Sequence, residues 1–346
     1  MSAPGAVFFV VPGSLDAMTG GTIYDRRVVQ GLRGLGRDAE VVELDTADAT
    51  PAFAAIPSGS TVVVDGLVLG TLPEIARREA TRLDLVALVH HPLADETGLD
   101  PAERTRLEAS ERAALAHVAR VVVTSDWTAA RLVDAGLVPA SADVRVVVPG
   151  VDPAPASDAG ASDPVLRFVS VGALTPRKAY DDAAAAFAAV GRDDWTWTVI
   201  GRSDQDASSA RRTRDLVERL GLGGRAILAG ALSDADRDAE LARAHVFLHP
   251  ARYEGYGMAV AEALARGLPV IASTGGALGD TVPESAGLTF EPGDTAALAS
   301  ALTRVLEDRE GLLASLRSAA VETRANLPGW DDVARAFAAA LERVPA

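Results

Sequence analysis

Cysteine, lysine and long apolar runs are all scarce in this sequence. Its 346 residues include no cysteine, which excludes a disulfide framework, thiolate chemistry and a cysteine-based metal site. No segment reaches the roughly 18 uncharged apolar residues that a membrane-spanning helix needs. The opening stretch, MSAPGAVFFVVPGS, has no basic region before its short apolar run, so it predicts a buried strand and not a secretory signal. We therefore expect a soluble, cytoplasmic protein.

Positive charge is also in deficit. Lysine and arginine together number 33, against 48 acidic residues, which gives a formal net charge of −15. This balance argues against DNA or RNA as a partner, because nucleic-acid binding requires a basic surface. It does not exclude one anionic ligand, since a few local cations and backbone amides can hold a phosphate in an acidic protein.

Apolar residues, 48% of the chain, form short runs that alternate with helical segments, and the length suits two domains. Tyr24, Val28, Leu32 and Leu35 fall at helical spacing ahead of Gly36. Continuous β-branched runs separated by helices predict the α/β class, with two doubly wound, Rossmann-like domains of parallel strands. The predicted strands cover residues 6–11, 39–44, 61–67, 85–90, 120–125, 144–149, 166–172, 195–201, 225–230, 245–250, 269–274 and 287–292.

The segment DPAPASDAGASDP (152–164) lies between the two halves and is poor in large apolar residues. We interpret it as a linker that does not pack against either domain. The predicted domains are 1–152 and 165–325, followed by a terminal helix within 326–346. Doubly wound domains bind ligands at the carboxyl ends of their strands, so we expect a ligand cleft between the two sheets.

Two features of the first half are candidates for a binding site. Gly20 and Gly21 lie where the first strand leads into a helix, and they would let a ligand approach the first helical amides. A turn that only redirects the chain explains them equally well. His90 and His91 end the fourth strand, and alternation along a strand points at most one of them into a site. The alternative for either is a half-buried histidine with backbone partners, and no carboxylate or histidine set at ligand spacing indicates a metal.

In the second half, Arg177 and Lys178 are adjacent in the turn after the first strand. Arginine can bind a phosphate through two hydrogen bonds, and lysine adds a point charge. A solvated surface pair is the alternative. In RYEGYGMAVAEA (252–263), Glu254 lies in a loop and Glu262 is about two turns into the helix that follows.

These segments together resemble the retaining family-4 glycosyltransferases of the GT-B fold. The matching parts of the second half are VGALTPRKAY, VIGRSD, ILAGALSD, GLTFEPGD and HVFLHPARYEGYGMAVAEALARGLPVIASTGGA, which contains the E-x7-E element of that family. The first half matches more loosely, through its glycine-rich first loop, a strand that ends in histidine, TSDWTAARLVDAG and VVVPGVD. The resemblance covers essentially the whole chain. It implies two domains that face each other across a cleft, with a terminal helix that crosses back to the first.

The resemblance also implies a reaction: transfer of a sugar, with retention and without a metal or other cofactor, from a nucleotide-diphosphate sugar to an acceptor. The acceptor would be a small molecule, a glycan or a lipid-linked sugar. Arg177 and Lys178 would hold the diphosphate, Glu254 would lie beside the donor sugar, and Glu262 would accept hydrogen bonds from the ribose. Other donor-side residues would be Gly172, Gly255, Tyr256, Gly257 and Met258, although loop packing explains Tyr256 as well as ligand contact does.

In the first domain, His90 best matches the family histidine that lies near the sugar, with His91 as second choice. The resemblance makes His90 and Glu254 the catalytic candidates. It assigns Gly20, Gly21 and His91 to the acceptor and sugar side. No D-x-D metal motif occurs in a matching loop, so no metal site is expected.

Two positions depart from the family pattern. Ala173 stands where the family has its first phosphate-binding cation, and Ala179 stands where a glycine follows the lysine. Arg177 lies on the same loop and could replace the missing cation. Two alternatives therefore stay open: a catalytically silent subunit that binds a nucleotide-sugar, and a GT-B-like epimerase, which would need more carboxylates in the first domain. A phosphorylase is disfavoured, because it anchors pyridoxal phosphate on a lysine and Lys178 is the only lysine.

Overall fold

The computed structural model describes residues 6–17, 19–44, 49–160 and 163–343, which divide into two compact units. The first unit contains the chain up to Gly150 and the residues from Pro328 onward, and the second is Val151–Leu327. Each unit has a six-stranded sheet in which all neighbouring strands are parallel. The predicted α/β class with two Rossmann-like domains is confirmed.

The sheet of the first unit has the order β2-β1-β3-β4-β5-β6. Its strands are β1 (Val7–Pro12), β2 (Ala39–Leu44), β3 (Thr61–Asp65), β4 (Asp84–Val89), β5 (Arg120–Val123) and β6 (Val144–Val146). Its helices are α1 (Gly20–Gly34), α2 (Thr50–Ala55), α3 (Gly66–Leu69), α4 (Pro73–Glu79), α5 (Pro101–Leu115), α6 (Asp126–Asp134) and, near the end of the chain, α14 (Trp330–Ala340).

The sheet of the second unit has the order β12-β11-β10-β7-β8-β9. Its strands are β7 (Leu166–Val171), β8 (Trp195–Ile200), β9 (Ala226–Gly230), β10 (Val246–His249), β11 (Val270–Ser273) and β12 (Gly287–Phe290). Its helices are α7 (Tyr180–Ala189), α8 (Ala207–Arg219), α9 (Asp234–Ala242), α10 (Met258–Ala265), α11 (Leu278–Thr281), α12 (Thr295–Glu307) and α13 (Ala314–Thr323). Every predicted strand overlaps an observed one, although some of the predicted ends differ.

Helix α1 starts at a capping box that its sequence encodes. The Thr22 amide donates to the Thr19 hydroxyl at 3.2 Å, and the Thr19 amide donates to the Thr22 hydroxyl at 3.1 Å. Leu35, predicted for the buried face of this helix, is 46% exposed, because the helix ends at Gly34 and the chain turns away at Gly36. Within the same unit, α14 packs closely against α1.

Both faces of the second sheet are covered. Phe247 and Leu248 are neighbours on β10, yet they pack into different apolar clusters. This is the consequence of side chains that alternate across a strand between two layers of helices. One of these clusters contains the stacked rings of Phe187 and Trp195, 4.3 Å apart.

The segment predicted to be an unpacked linker is packed, so that interpretation is wrong. The Ser157 amide donates to the Arg266 carbonyl at 2.8 Å, and the Ser157 hydroxyl donates to the Ala244 carbonyl at 2.6 Å. Arg317 donates to the Ser157 carbonyl at 2.7 Å. Backbone hydrogen bonds and arginine contacts hold the segment, which its lack of large apolar residues did not indicate. Residues 161–162 of this stretch lie outside the described residues.

Each sheet has one switch point. In the first, β2 and β3 lie on opposite sides of β1, and in the second, β8 and β10 lie on opposite sides of β7. The loops at the carboxyl ends of such strands diverge and leave a crevice in which ligands bind. The loops after β1 and β3, and those after β7 and β10, are therefore the places to expect functional side chains. Among the described residues, no helix combines the length and the apolar character needed to cross a bilayer.

Candidate functional site

The loops that follow β7 and β10 meet at the switch point of the second unit. The first contains Arg177 and Lys178 in a 3₁₀ turn (Pro176–Lys178), and the second contains Glu254. The Arg252 amide donates to the Arg177 carbonyl at 2.7 Å, which fastens one loop to the other. Three charged residues singled out from the sequence thus lie together, although 76 positions separate Lys178 from Glu254.

The Glu254 carboxylate bridges the two cations. Its Oε1 accepts a hydrogen bond from Lys178 Nζ at 2.5 Å, and its Oε2 lies 3.1 Å from Arg177 Nη1. The side chains of Arg177, Lys178 and Glu254 are 26, 13 and 12% exposed, so their charges interact more strongly than they would in bulk water. Two positive charges face one negative charge, which leaves this cluster positive within an acidic chain.

The pKa values in this cluster follow from burial and charge. Burial alone would raise the pKa of the Glu254 carboxyl, but Lys178 and Arg177 outweigh it and hold that pKa well below its ordinary value. Burial lowers the pKa of the Lys178 ammonium, and the Glu254 carboxylate opposes this shift. A ligand that brings its own negative charge can compete with Glu254 for both cations.

His249, at the end of β10, is another partner of Glu254, and sequence reasoning missed this contact. Its Nε2 lies 3.1 Å from Glu254 Oε1, and its ring is almost fully buried. Burial and the nearby Lys178 lower the pKa of the ring, so His249 is neutral and its Nε2–H donates to the carboxylate. The feature that could have revealed it is a histidine at a strand end, five positions before a loop glutamate.

The loop that carries Arg177 and Lys178 contains two residues with positive φ. Gly172 has a φ of +152°, and a Cβ at this position would lie only 2.9 Å from Lys178 Cε. Gly172 therefore makes room for the lysine side chain. Ala179, the N-cap residue of α7, has a φ of 52°, in the left-handed region that favours glycine. This is the position at which the family pattern has glycine, so the structure gives a physical reason for that pattern.

Two glycines after β11 pack closely against the backbone of the loop that contains Glu254. A Cβ on Gly275 would lie 2.3 Å from the Arg252 carbonyl oxygen, and one on Gly276 would lie 2.2 Å from the Glu254 carbonyl oxygen. The Ala277 amide donates to that Glu254 oxygen at 2.9 Å. Only glycine allows this approach. Sequence reasoning did not assign these glycines a role, although a glycine pair directly after a buried strand was the available indication.

The stretch after Glu254 leads into α10. Gly255 lies in the loop, and Gly257, with a φ of +98°, precedes the first helical residue, Met258. The first amides of a helix have no acceptor within it, so they are available to a ligand. Tyr256 packs beside an apolar cluster that consists of Val151, Ala261 and Ala265. The packing explanation that the sequence left open for Tyr256 therefore applies.

Glu262 lies on α10 and is half-buried. Among the described residues, none forms a hydrogen bond or an ion pair with its carboxylate. Burial raises the pKa of Glu262, against the opposing effects of Arg237 and Arg266. A half-buried carboxylate without a protein partner loses hydration without compensation, unless a ligand supplies hydrogen-bond donors. Its predicted contact with ribose hydroxyls stays a prediction.

In the first unit, His90 follows β4 and lies between two carboxylates. Its Nε2 is 3.0 Å from Asp25 Oδ1, on α1, and 3.6 Å from Asp65 Oδ2, at the end of β3. The expectation that no carboxylates accompany the histidines is wrong, because α1 and β3 bring distant residues to the switch point. The three donor atoms lie within 4.8 Å of one another, a spacing that a metal ion could bridge. That the protein needs no metal stays a prediction.

The other first-unit candidates are placed differently. Gly21 lies against the His90 ring, since a Cβ on Gly21 would be 3.3 Å from His90 Cδ2. Gly20 is the exposed first residue of α1, between the two threonines of the capping box. The Nε2 of His91 lies 3.6 Å from Glu96 Oε2. The structure thus joins Gly21 to His90 and gives His91 a separate partner.

Comparison with known proteins agrees with this arrangement. Residues 158–323 match the family model described as glycosyl transferases group 1. This match covers slightly less than half of the chain, so the second unit is similar to the glycosyl transferases group 1 family. The matched range contains the whole second-unit site, from Gly172 to Glu262, and the resemblance seen in the sequence is confirmed.

Curated proteins with similar sequences include two named sugar transferases. The lipopolysaccharide core biosynthesis mannosyltransferase LpsB of Rhizobium meliloti (strain 1021) is 30% identical over 234 residues, which cover 64% of this chain and 65% of the relative. The 2-deoxystreptamine glucosyltransferase of Streptomyces kanamyceticus is 31% identical over 248 residues, 66% of this chain and 61% of the relative. The match thus spans slightly less than two thirds of these relatives.

Solved structures show the same fold over nearly the whole chain. Sucrose-phosphate synthase from Thermosynechococcus elongatus superimposes with a TM-score of 0.82 at 22% identity, over 96% of this chain and 97% of that one. Anabaena HepE in complex with UDP and glucose gives 0.77 at 16% identity, over 97% and 99%. At these identities the likeness establishes the fold of this chain, the α/β architecture of GT-B type.

Proposed function

We propose that this chain is a retaining, metal-independent glycosyltransferase that moves a hexose from a nucleoside-diphosphate sugar to an unidentified acceptor. The cluster of Arg177, Lys178 and Glu254 carries the proposal, because it is a positive site at a switch point within a chain of net charge −15. The relatives named as a mannosyltransferase and a glucosyltransferase, and the HepE complex with UDP and glucose, support the same donor class.

The cluster suits a diphosphate as the leaving group. Breaking the anomeric bond develops negative charge on the diphosphate and positive charge on the sugar ring. Arg177 and Lys178 would stabilise the first of these charges where it develops. Glu254, released from its two cations by the incoming phosphates, would then be a carboxylate available to the sugar.

Arg177 offers the charge that Ala173 lacks. The resemblance expects the first phosphate-binding cation at position 173, which is alanine. Arg177 and Lys178 contact the two oxygens of the same carboxylate, so the site holds two cations although one comes from a different backbone position. This arrangement weakens the main argument for a catalytically silent subunit.

Lack of a metal requirement is proposed on similar grounds. Across the described ranges of the chain, the only cluster with metal-ligating potential lies in the first unit, at Asp25, Asp65 and His90, and not beside the two cations. Two fixed cations can neutralise a leaving diphosphate without an ion. Retention is proposed from the family resemblance.

A donor screen on the purified protein tests the proposal. Ligands that bind the folded state raise its melting temperature, so UDP-, GDP-, ADP- and TDP-sugars can be compared directly. We expect one nucleotide class to bind and its sugar to be hydrolysed slowly, with or without EDTA. The first free sugar seen by proton NMR should keep the anomeric configuration of the donor. An inverted sugar would refute retention, and loss of activity in EDTA would refute metal independence. Absence of binding by all of these nucleotide-sugars would refute the whole proposal.

A GT-B-like epimerase remains a second candidate because of one observation. That alternative required more carboxylates in the first domain, and Asp25 and Asp65 lie beside His90. The same incubations separate the two functions. A transferase releases a nucleoside diphosphate, whereas an epimerase returns a nucleotide-sugar with an altered sugar and releases none as its main product.

A further inference from the structure

The carboxylates beside His90 come from two separate elements of the first unit. Asp25 is on α1, which follows β1, and Asp65 is the last residue of β3. These elements flank the switch point of the sheet. The Asp25 and Asp65 side chains are 0 and 3% exposed, and the His90 side chain is 16% exposed. The histidine is therefore the member of the cluster that solvent or a ligand can reach.

Both carboxylates face the same ring nitrogen. Nε2 of His90 lies 3.0 Å from Asp25 Oδ1 and 3.6 Å from Asp65 Oδ2. An ionised Asp25 carboxylate can only accept a hydrogen bond, so its 3.0 Å contact requires a proton on Nε2. The other nitrogen, Nδ1, has no hydrogen-bond partner among the described residues. The ring thus has one nitrogen held by the protein and one left for a ligand.

Packing keeps the ring in this orientation. The Tyr24 ring meets it edge to face, with centroids 5.4 Å apart, and Tyr24 is fixed by a 2.8 Å hydrogen bond from its hydroxyl to the Val147 carbonyl. A Cβ on Gly21 would lie 3.3 Å from His90 Cδ2 and 3.4 Å from Nε2, so the glycine leaves room for this edge of the ring. Helix α1 therefore supplies the contact with the ring, the space for it and the carboxylate that holds it.

Charge balance favours a proton on the ring. Asp25 is fully buried, and within the described part of the chain His90 is its only cationic partner. A buried carboxylate without a positive partner is strongly unfavourable. Burial alone would lower the pKa of His90, but the Asp25 carboxylate outweighs burial and raises it. The 3.0 Å distance between His90 Nε2 and Asp25 Oδ1 is that of an ordinary hydrogen bond, so a proton between the two atoms explains it without a metal ion.

We propose that Asp25 is a positioning residue for His90: it holds the Nε2–H edge so that Nδ1 faces the reacting ligand, with Asp65 as the second carboxylate behind it. The inference that this arrangement serves sugar transfer rests on the proposed function above. The fixed tautomer is a property of the protein alone and can be measured without a substrate.

The first test is NMR of the histidine ring nitrogens in the ligand-free protein. The chain has five histidines, so a His90→Gln variant assigns the His90 signals by their loss. We expect protonated Nε2 in wild type at high pH and a pKa above the ordinary value. Asp25→Asn keeps an acceptor but removes the charge, so the pKa of His90 should fall. Asp84→Asn, which removes a buried carboxylate paired with Arg120, is the matched control and should leave it unchanged.

Two NMR outcomes would overturn the proposal. One is a neutral ring protonated at Nδ1, which the wild-type protein alone reveals even if Asp25→Asn does not fold. The other is loss of the Nε2–H signal on addition of one equivalent of Zn²⁺, because a metal ion would then be the natural occupant. Persistence of that signal in Zn²⁺ supports the proton.

The second test uses kinetics with the donor identified by the screen. Asp25→Asn should lower kcat about tenfold or more, as expected when the residue that orients a histidine loses its charge. The donor KM should stay within about twofold, since the donor contacts belong to the second unit. In the pH profile of kcat, the limb that reflects ionisation of His90 should shift to lower pH. The shift should match the fall in the His90 pKa measured by NMR. An unmoved limb would overturn the positioning role. Absence of turnover in wild type would refute the proposed function and leave the NMR result standing.

Discussion

The carboxylate of Glu254 has Lys178, Arg177 and His249 as partners, and a bound diphosphate would compete with it for the two cations. The carboxylate holds the two cations together through these ion pairs. In the proposed reaction, donor binding would therefore depend on the strength of ion pairs that the diphosphate must break.

Glu254→Gln separates the role of the carboxylate in turnover from its competition with the diphosphate for the two cations. We expect turnover to fall by about 100-fold or more, as for loss of one preorganised electrostatic contact. The nucleoside diphosphate should bind at least as tightly as to wild type, because the competing charge is gone. Steady-state kinetics and calorimetry measure the two quantities, with the exposed Glu291→Gln as control. Unchanged turnover would remove Glu254 from the site, and weaker diphosphate binding would show that it does not compete for the cations.

Lys178→Ala tests the phosphate contact directly. A hydrogen bond to a charged group contributes roughly 1.5–3 kcal/mol, so the nucleoside diphosphate should bind about 10- to 150-fold more weakly. The free nucleoside lacks the phosphates and should bind as before. Calorimetry on both ligands decides, and Arg214→Ala, an exposed cation on α8, is the control. Equal weakening of nucleoside and diphosphate would place Lys178 away from the phosphates.

At the scale of elements, the backbone of the site is strained where the 3₁₀ turn of Arg177 and Lys178 meets α7. Ala179 has left-handed dihedral angles, φ 52° and ψ 37°, directly after Lys178. An L-residue in this region carries a penalty of about 1–2 kcal/mol relative to glycine, although glycine also loses more entropy on folding. The position of the lysine therefore depends on a conformation that the alanine side chain disfavours.

Ala179→Gly should leave the protein at least as stable as wild type, with a gain of up to about 1 kcal/mol. Donor binding should be unchanged, because the backbone path is the same. Denaturant unfolding measures the first quantity and calorimetry the second. Ala185→Gly, in the middle of α7, is the control and should lose about 1 kcal/mol. A loss of similar size at both positions would mean that the left-handed conformation carries no strain.

At the scale of the whole molecule, the strands were predictable and many contacts of the site were not. The β-branched runs place all twelve strands, while their ends are set by contacts that periodicity does not contain. The predicted strand 61–67 stops at Asp65, because its side chain accepts the Leu67 amide at 2.6 Å and starts α3.

The contacts of the candidate site likewise divide into those that the local sequence predicts and those that it does not. Arg177, Lys178 and Glu254 belong to a motif that can be read locally, and the structure brings them together. Asp25 escaped notice because 65 positions separate it from His90, and only the convergence of α1 with the strand ends joins them. Nothing in local spacing marks such a pair.

Buried ionisable groups of the two units make contributions to stability that depend on pH in opposite directions. In the first, burial raises the pKa values of Asp65 and Glu111 to about 7, from ordinary values of 3.8 and 4.5. Stability from such groups is lost as pH rises toward 7, because the folded state binds more protons than the unfolded state. In the second, the pKa values of Glu254 and His249 are lowered. Their contribution is present above the ordinary pKa values and is lost as pH falls.

Glu111→Gln isolates one of these responses. Glu111 lies on α5, and its Oε2 accepts the Leu93 amide at 2.9 Å while burial opposes ionisation. Glutamine can keep this hydrogen bond and never ionises. The free energy of unfolding of the variant relative to wild type should therefore rise between about pH 4.5 and 7 and then level off, by about 1–3 kcal/mol in total. Denaturant unfolding at several pH values measures it, with Glu103→Gln, an exposed residue of α5, as a control whose difference from wild type stays flat. A difference for Glu111→Gln that stays constant or falls over this range would show that the buried carboxyl ionises without cost.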